Sequence, residues 1–325
     1  MTNSKKKKLL FTDKQFIFGV CAVFFVCLFI MIYTVSRPSE FFPLKDDIQI
    51  VSNTSLSVIA ENLANNHVIS SPFLFKVAVV IFGGQRGLFA GDYRFVEPQG
   101  LFKVAYRMVK GIQGLPKIKI TIPEGTNSYD MAYIYMKSLP NFNAPKFLGL
   151  ALQNEGYLFP DTYLFLSNTK PEAIIKEMRA NFLKHIKSLN DEISKFNKPL
   201  SDIIIMASII EEEARGIEDR RMVSGVLWKR MEKGMLLQVD APFYYISGKS
   251  TAVLYKDLEV DSPYNTYKYK GLPKGPISNP GLEAIRATVT PLYSPYLFYL
   301  TGKDGEMKYS VTYDGHLANK DKYLK

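Results

Sequence analysis

Between Gln15 and Ser36 the chain runs for 22 residues without a formal charge, and no other feature constrains its organisation as strongly. The run holds Phe16, Val20, Phe24, Val26, Leu28, Ile30 and Ile32 among other apolar residues. About 20 such residues, at ~1.5 Å rise each, match the ~30 Å hydrocarbon core of a bilayer. A cleaved signal peptide has a shorter apolar region, about 7–15 residues, closed by small residues. This run ends Tyr33-Thr34-Val35-Ser36 instead, and both Cys21 and Cys27 follow valines rather than the small residue expected before a lipidated cysteine. Lys5, Lys6, Lys7, Lys8, Lys14 and Arg37 against Asp13 place half of the net charge of +10 in the first 37 residues. The positive-inside rule then keeps the N-terminus in the cytoplasm and puts the rest outside. The expected order is a basic cytoplasmic tail (1–14), a single-pass transmembrane anchor (15–36) and a short stalk (37–46), followed by an extracytoplasmic portion. The small basic surplus left over that portion is no footprint for nucleic acid.

The residues missing from the exported portion narrow its chemistry. Both cysteines lie in the apolar run, so no thiol nucleophile or disulfide is available beyond it. The three histidines, His67, His185 and His316, are each more than 100 residues from the next. With no paired-histidine motif and no cysteine cluster, no metal site and no cofactor is expected. G-x-S-x-G and Walker motifs are absent as well.

Periodicity divides what remains. Ile48 to Val51 alternates as a strand, and Ser55 to Asn65 carries the helical spacing Leu56, Ile59, Ala60, Leu63. Seventy-two residues on, Lys117 to Pro123 alternates, Pro123-Glu124-Gly125 turns, and a helix is expected from about Ser128. At that offset Ile48 matches Ile120, Ile50 matches Ile122, Thr54 matches Thr126 and Ala60 matches Ala132, which fits either a repeat or two unrelated strand–helix units. Further helices are expected over Lys170–Leu189, from a Ser201 or Asp202 cap to Arg215, and from Ile217 to Lys233. The last 90 residues, rich in Tyr, Pro and Gly, read as short strands such as Tyr296–Leu300 joined by turns. Helices followed by strands, outside βαβ alternation, predict an α+β fold.

The helix SDIIIMASIIEEEARG (201–216) is the most informative segment. At about 100° per residue, Ile203, Met206, Ala207, Ile210 and Ala214 define a buried face. Glu212 then points to solvent, while Glu211 and Glu213 fall at the two edges of that face. A carboxyl at such an edge is partly desolvated, and the helix C-terminus disfavours its anion, so either glutamate is placed to donate a proton near neutral pH. The competing reading is a solvated acidic turn. Aromatic- and amide-rich strings elsewhere suit the stacking and hydroxyl bonding of sugars, although single Tyr and Phe residues equally build a core.

ASIIEEEA (207–214), LQVD (237–240), SPYNTYKYKGLPKGPISNPG (262–281) and a late Thr312…His316, preceded by EGYLFPDTY (155–163), together resemble the membrane-bound endolytic murein transglycosylases, the YceG-like family. VISSPFLF (68–75), AGDYRF (90–95) and TIPEG (121–125) resemble that family's LysM-like region. The resemblance implies a LysM-like region (47–140) and an α+β catalytic domain (141–325). It implies Glu211 as catalytic acid and then base, with the muramyl C6 hydroxyl as nucleophile and a 1,6-anhydro end as product. One carboxylate then suffices, since the substrate carries its own nucleophile at high effective concentration. Gln238, Tyr264 and Asn265 are implied to position substrate; Glu155, Asp240 and Glu213 match family positions without separable roles. Partners so implied are peptidoglycan strands beside synthases and division proteins in the bacterial cytoplasmic membrane. Two departures stand out: Val239-Asp240-Ala241 replaces the family's Thr-Asp-Pro, and Val51-Ser52-Asn53-Thr54 lacks the Pro-x-Gly turn. The alternatives are a non-catalytic peptidoglycan-binding scaffold and a hydrolase that uses water with a second carboxylate.

Overall fold

The structure is a computed structural model that describes residues 13–84, 87–248 and 255–325. The lysine run at 5–8 lies outside the described residues. α1 (Asp13–Val35) covers the uncharged run, and its 18-residue window Phe18–Val35, with mean hydropathy 2.6 and no part buried, is long and apolar enough to cross a membrane. The chain divides into two units, Met1–Pro116 and Lys117–Lys325.

In the first unit, β1 (Asp47–Ile50) precedes α2 (Leu56–Asn65), α3 (Pro72–Ile81), β2 (Gly91–Arg94) and α4 (Leu101–Lys110). β1 and β2 pair antiparallel from Asp47 opposite Arg94 to Ile50 opposite Gly91, and the two end side chains form a bidentate ion pair at 2.7 and 2.8 Å. Ser55 and Ser71 cap α2 and α3 by accepting the N–H groups of Val58 and Leu74, and Pro72 opens α3 with its φ already helical. Ile59, Leu63, Phe75, Val79, Tyr93, Val104 and Met108 fill the core between the helices and the two-stranded sheet.

The second unit begins with the same order of elements: β3 (Lys117–Thr121), α5 (Ser128–Ser138), α6 (Ala144–Ala151) and β4 (Thr162–Leu166), the strands again antiparallel. The offset of 72 holds for the two capping residues, Ser55 and Asn127, and for the first residues of α2 and α5. A boundary at 140/141 would therefore cut between α5 and α6, inside one ββ-closed unit. The five-residue β3–β4 ladder joins residues 117–166, and the observed division falls at Pro116/Lys117 instead.

α7 (Pro171–Lys187), α8 (Asn190–Phe196), α9 (Leu200–Glu213) and α10 (Ile217–Glu232) follow, with α11 (Ala241–Ser247), α12 (Leu282–Val289), the hairpin β5 (Phe298–Thr301) and β6 (Met307–Ser310), and α13 (Tyr313–Leu324). α9 packs against α10, α11 and α12. Its burial is not one-sided as the sequence predicts: Ile203, Ile204, Met206, Ala207, Ser208, Ile209 and Ile210 are all buried. Ser208 tolerates this because its hydroxyl donates to Ile205 O (2.7 Å) and accepts from Ile277 N (3.1 Å), leaving no polar atom unpaired. α9 also starts earlier than expected, at Leu200 with Pro199 before it, while the Ser201 hydroxyl bonds only its neighbour Asp202. Among the described residues, strands are fewer than expected after residue 235: one hairpin forms, and the amphipathic LEAIRATV becomes α12 because α9 and α10 offer it an apolar surface.

The approach of α10 to the segment after α12 depends on Gly225. A Cβ there would lie 2.1 Å from Leu292 O, a backbone atom that a rotamer change cannot move. Gly225→Ala is expected to destabilise the protein by about 1–3 kcal/mol, the usual range for overpacking, as read from the shift of a urea unfolding midpoint at constant m-value.

Candidate active site

Three strings that lie far apart in sequence meet at one buried node. Asn279, fully buried, donates its side-chain amide to Glu155 Oε1 (2.6 Å) and Thr126 O (3.0 Å) and accepts Leu158 N–H (2.9 Å). Glu155 Oε2 accepts Ser128 N–H (3.0 Å) and Tyr245 O–H (3.4 Å). Backbone bonds between Gly125 N and Asn279 O, and between Asn279 N and Thr126 O, complete the join. The TIPEG turn, the EGYLF string and the SNPG loop are thereby locked to one another beside the end of α9. Burial pushes the Glu155 carboxyl up to about 6 even though its neighbours donate to it.

Glu211, Glu212 and Glu213 form the last turn of α9, where the helix dipole disfavours anions. Their three environments differ. Glu211 is engaged at both oxygens: Oε1 by the Arg220 guanidinium and Oε2 by Gly281 N–H at 2.9 Å, with its side chain 5% exposed. Burial raises its pKa, and the Gly281 N–H and Arg220 charge oppose that rise. Glu212, the residue expected in solvent, is exposed, but it faces a cleft of about 820 Å³ that it lines with Gly125, Asn127, Tyr129, Tyr245 and Ser278. Crowding by the cleft wall, then the charge of Glu211, pushes it up to about 7. Glu213 turns to the other side. It accepts the Tyr299 hydroxyl (3.0 Å) and the backbone N–H groups of Asp240 and Ala241, and Ala241 is itself part of the cleft wall. Burial first, and the Asp240 charge second, push Glu213 up to about 7.

Gly125 permits this crowding. Its φ is +78°, and a Cβ there would meet Glu212 Oε1 at 2.5 Å. Across the cleft, the Tyr129 and Tyr245 rings meet edge to face at 6.5 Å, and Tyr245 leans on Tyr264 at 5.2 Å. Tyr129 and Tyr244 are exposed.

The other expected site residues separate into groups. Asp240 accepts the Tyr267 hydroxyl (2.7 Å) beside Glu213. Gln238 is exposed with φ +48°, its N–H bonded to Thr266 O (3.1 Å), and it is not among the cleft-lining residues. Tyr264 supports Tyr245. Asn265 is buried and fully engaged with backbone: its amide donates to Leu258 O and Val260 O, both at 2.8 Å, and its oxygen accepts from Tyr267 N (2.9 Å) and Lys268 N (3.2 Å). That pattern holds a loop closed and leaves nothing for a ligand. Thr312 caps α13, and His316 lies against Phe298 and Tyr313. Sequence reasoning passed over Arg220, Asn279, Tyr299 and Tyr129. Only Asn279 carried a signal, as the buried-type amide of SNPG.

The model of the YceG-like family matches residues 48–322. The chain belongs to this family. The endolytic murein transglycosylase of Bacillus subtilis is 33% identical over 306 residues, covering 86% of this chain and 84% of that protein. One from Streptococcus pneumoniae is 32% identical over 178 residues, 53% of this chain and 32% of its own length. The crystal structure of a yceG-like protein from Listeria monocytogenes matches with TM-score 0.57 and 30% identity, over 84% of this chain and 99% of that one.

The Glu155 node makes stability depend on pH in a defined direction. A carboxyl raised from 4.5 to about 6 on folding binds its proton more tightly in the folded state. Its contribution is complete below about pH 4.5 and is lost as pH rises through 6, about 2 kcal/mol in all. Glu155→Gln, which cannot titrate, is expected to flatten the stability–pH curve between pH 4.5 and 6. It should also lower stability at pH 5, because its amide NH₂ faces the donors of Asn279, Ser128 or Tyr245. Urea denaturation of both proteins across that range checks this.

Proposed function

We propose that this YceG-like chain is an endolytic peptidoglycan lytic transglycosylase that cleaves the glycosidic bond after N-acetylmuramic acid and leaves a 1,6-anhydro end. The observation that carries the reading is the Glu211–Glu212–Glu213 turn that ends α9, whose carboxyls burial pushes up beside an aromatic-lined cleft walled by Gly125 and Glu212. Relatives of this chain bear the name endolytic murein transglycosylase.

The reaction needs one group that donates a proton and then takes one back. Protonated Glu211 donates to the glycosidic oxygen as the bond to C1 breaks. The carboxylate so formed is stabilised by the Arg220 guanidinium and by Gly281 N–H, which lowers the cost of charge in a largely buried place. It then accepts the proton of the muramyl C6 hydroxyl as that oxygen closes on C1. No water is consumed and the carboxyl ends protonated. The internal nucleophile removes the need for a second catalytic carboxylate, which a hydrolase must supply.

Family resemblance points to Glu211, and its place supports that assignment: its Cγ would lie 3.5 Å from a Cβ on Gly125, a residue of the cleft wall. Glu213, turned away from the cleft to Tyr299, is left a positioning role. Glu212 faces the sugar-sized cleft, where Tyr129 and Tyr245 offer faces for pyranose rings. Two further parts of the reading rest on the fold. α1 serves as a single-pass anchor in the bacterial cytoplasmic membrane, with the remainder extracytoplasmic. The strand–helix–helix–strand order of 47–94, repeated in 117–166, serves as LysM-like glycan-binding units.

The test is mass spectrometry of products from uncrosslinked peptidoglycan strands, using the full chain in detergent and the variants Glu211→Gln, Glu212→Gln and Glu213→Gln. Anhydro-muramyl ends are expected from the wild type, with the rate falling at least ~100-fold in Glu211→Gln. Glu212→Gln is expected to weaken binding more than turnover, and Glu213→Gln to lower stability along with rate. Reducing ends about 18 Da heavier would identify water as nucleophile and sink the transglycosylase reading; this mass is that of one added water, the reactant a hydrolase requires. Full activity in Glu211→Gln with loss in Glu212→Gln would transfer the acid's role to the neighbour.

A further inference from the structure

The first unit carries an apolar surface that its own core does not use, next to the point where α1 ends. The Ser36 carbonyl, one residue past α1, accepts the N–H of Leu101, the first residue of α4, at 2.9 Å. Gly100 allows the approach, since a Cβ there would sit 2.9 Å from the same oxygen. The end of α1 and the start of α4 are thus joined without slack. From that point α4 presents Phe102 and Tyr106, one helical turn apart and both exposed. Tyr106 meets Phe82 edge to face at 5.5 Å, and next to Phe82 is Ile81, 68% exposed. Phe41, five residues after Ser36, is 74% exposed. Lys110 closes α4 with an exposed cation.

We propose that this surface, Phe102, Tyr106 and Ile81 with Phe41 of the stalk, lies in the interfacial layer of the same bilayer that α1 crosses. The inference rests on the reading of α1 as a membrane anchor. Continuity selects lipid as the occupant. Ser36 is the first residue beyond the apolar helix, so its hydrogen-bonded partner Leu101 and the adjacent Phe102 sit at the level where acyl chains give way to headgroups. Aromatic side chains with one polar edge, such as Tyr106, favour that layer. An amphipathic face buries its apolar residues about 5–10 Å into it, while a lysine stem reaches back to the phosphates. The first unit is then held by two contacts, the spanning helix and this face, so that it rests on the membrane rather than swinging on the stalk.

The test uses the full chain, with Cys21→Ser and Cys27→Ser, reconstituted in phosphatidylcholine–phosphatidylglycerol vesicles. Single cysteines replace Phe102, Ile81 or, within the anchor, Phe24, and each carries an environment-sensitive fluorophore. Quenching is read with a lipid-borne nitroxide and with aqueous iodide. Labels at 102 and 81 are expected to be quenched by the lipid nitroxide at least about half as strongly as the label at 24, and to be shielded from iodide, as shallow interfacial burial requires. Nitroxide quenching at 24 with none at 102 and 81 would overturn the inference while leaving the anchor in place. No quenching at any of the three would overturn the anchor reading itself.

Discussion

The bond between Asn279 and Glu155 organises the second unit. An amide and a carboxyl buried together are costly unless each polar atom finds a partner, and here each does. The partners come from the turn after β3, from the first residue of α5, from the segment after α6 and from α11. Satisfying that pair therefore fixes four pieces of chain relative to the end of α9. The same joining brings Gly125 against Glu212 and sets the Gly281 N–H over Glu211. The cleft is a consequence of the node, since Asn127, Tyr129 and Tyr245 line it from elements that the node holds in place.

Three consecutive glutamates on one helix turn take three different electrostatic roles because α9 is enclosed on all sides. At ~100° between successive side chains, each carboxyl leaves the helix toward a different neighbour. One meets a guanidinium, one an open cleft and one a tyrosine hydroxyl with two backbone donors. Identical side chains thus receive different tasks, and the differences lie in the partners. The donors that oppose the effect of burial at Glu211 and the burial that pushes Glu213 up are the two opposite influences on a carboxyl away from water.

Local chemistry made much of the architecture legible. The Ser55 and Asn127 caps, the alternation of Ile48 with Ile50 and of Ile118 with Ile120, and the shared 72-residue offset all express short-range preferences, so the repeated strand–helix–helix–strand order could be anticipated from its first halves. The closing strands β2 and β4 were less legible, because GDYR and TYLFL acquire strand character only when β1 and β3 lie beside them. The C-terminal region misled for a related reason. Tyr, Pro and Gly promise turns and strands, but LEAIRATV became a helix once α9 and α10 formed a surface for it.

For the site, composition alone settled the class of chemistry. A chain whose cysteines all lie in its apolar helix, and whose histidines are far apart, has carboxyls as its main proton carriers, and EEE at the end of an apolar helix marks where they concentrate. The uncharged run likewise settled the presence and length of α1, since both follow from residue type and a ~1.5 Å rise. What surrounds each glutamate, and so what raises its pKa, was decided only by tertiary structure. A pKa depends on the charges and donors within a few ångströms, and those of Glu213 come from residues 27, 28 and 86 positions away. No pattern within α9 encodes them.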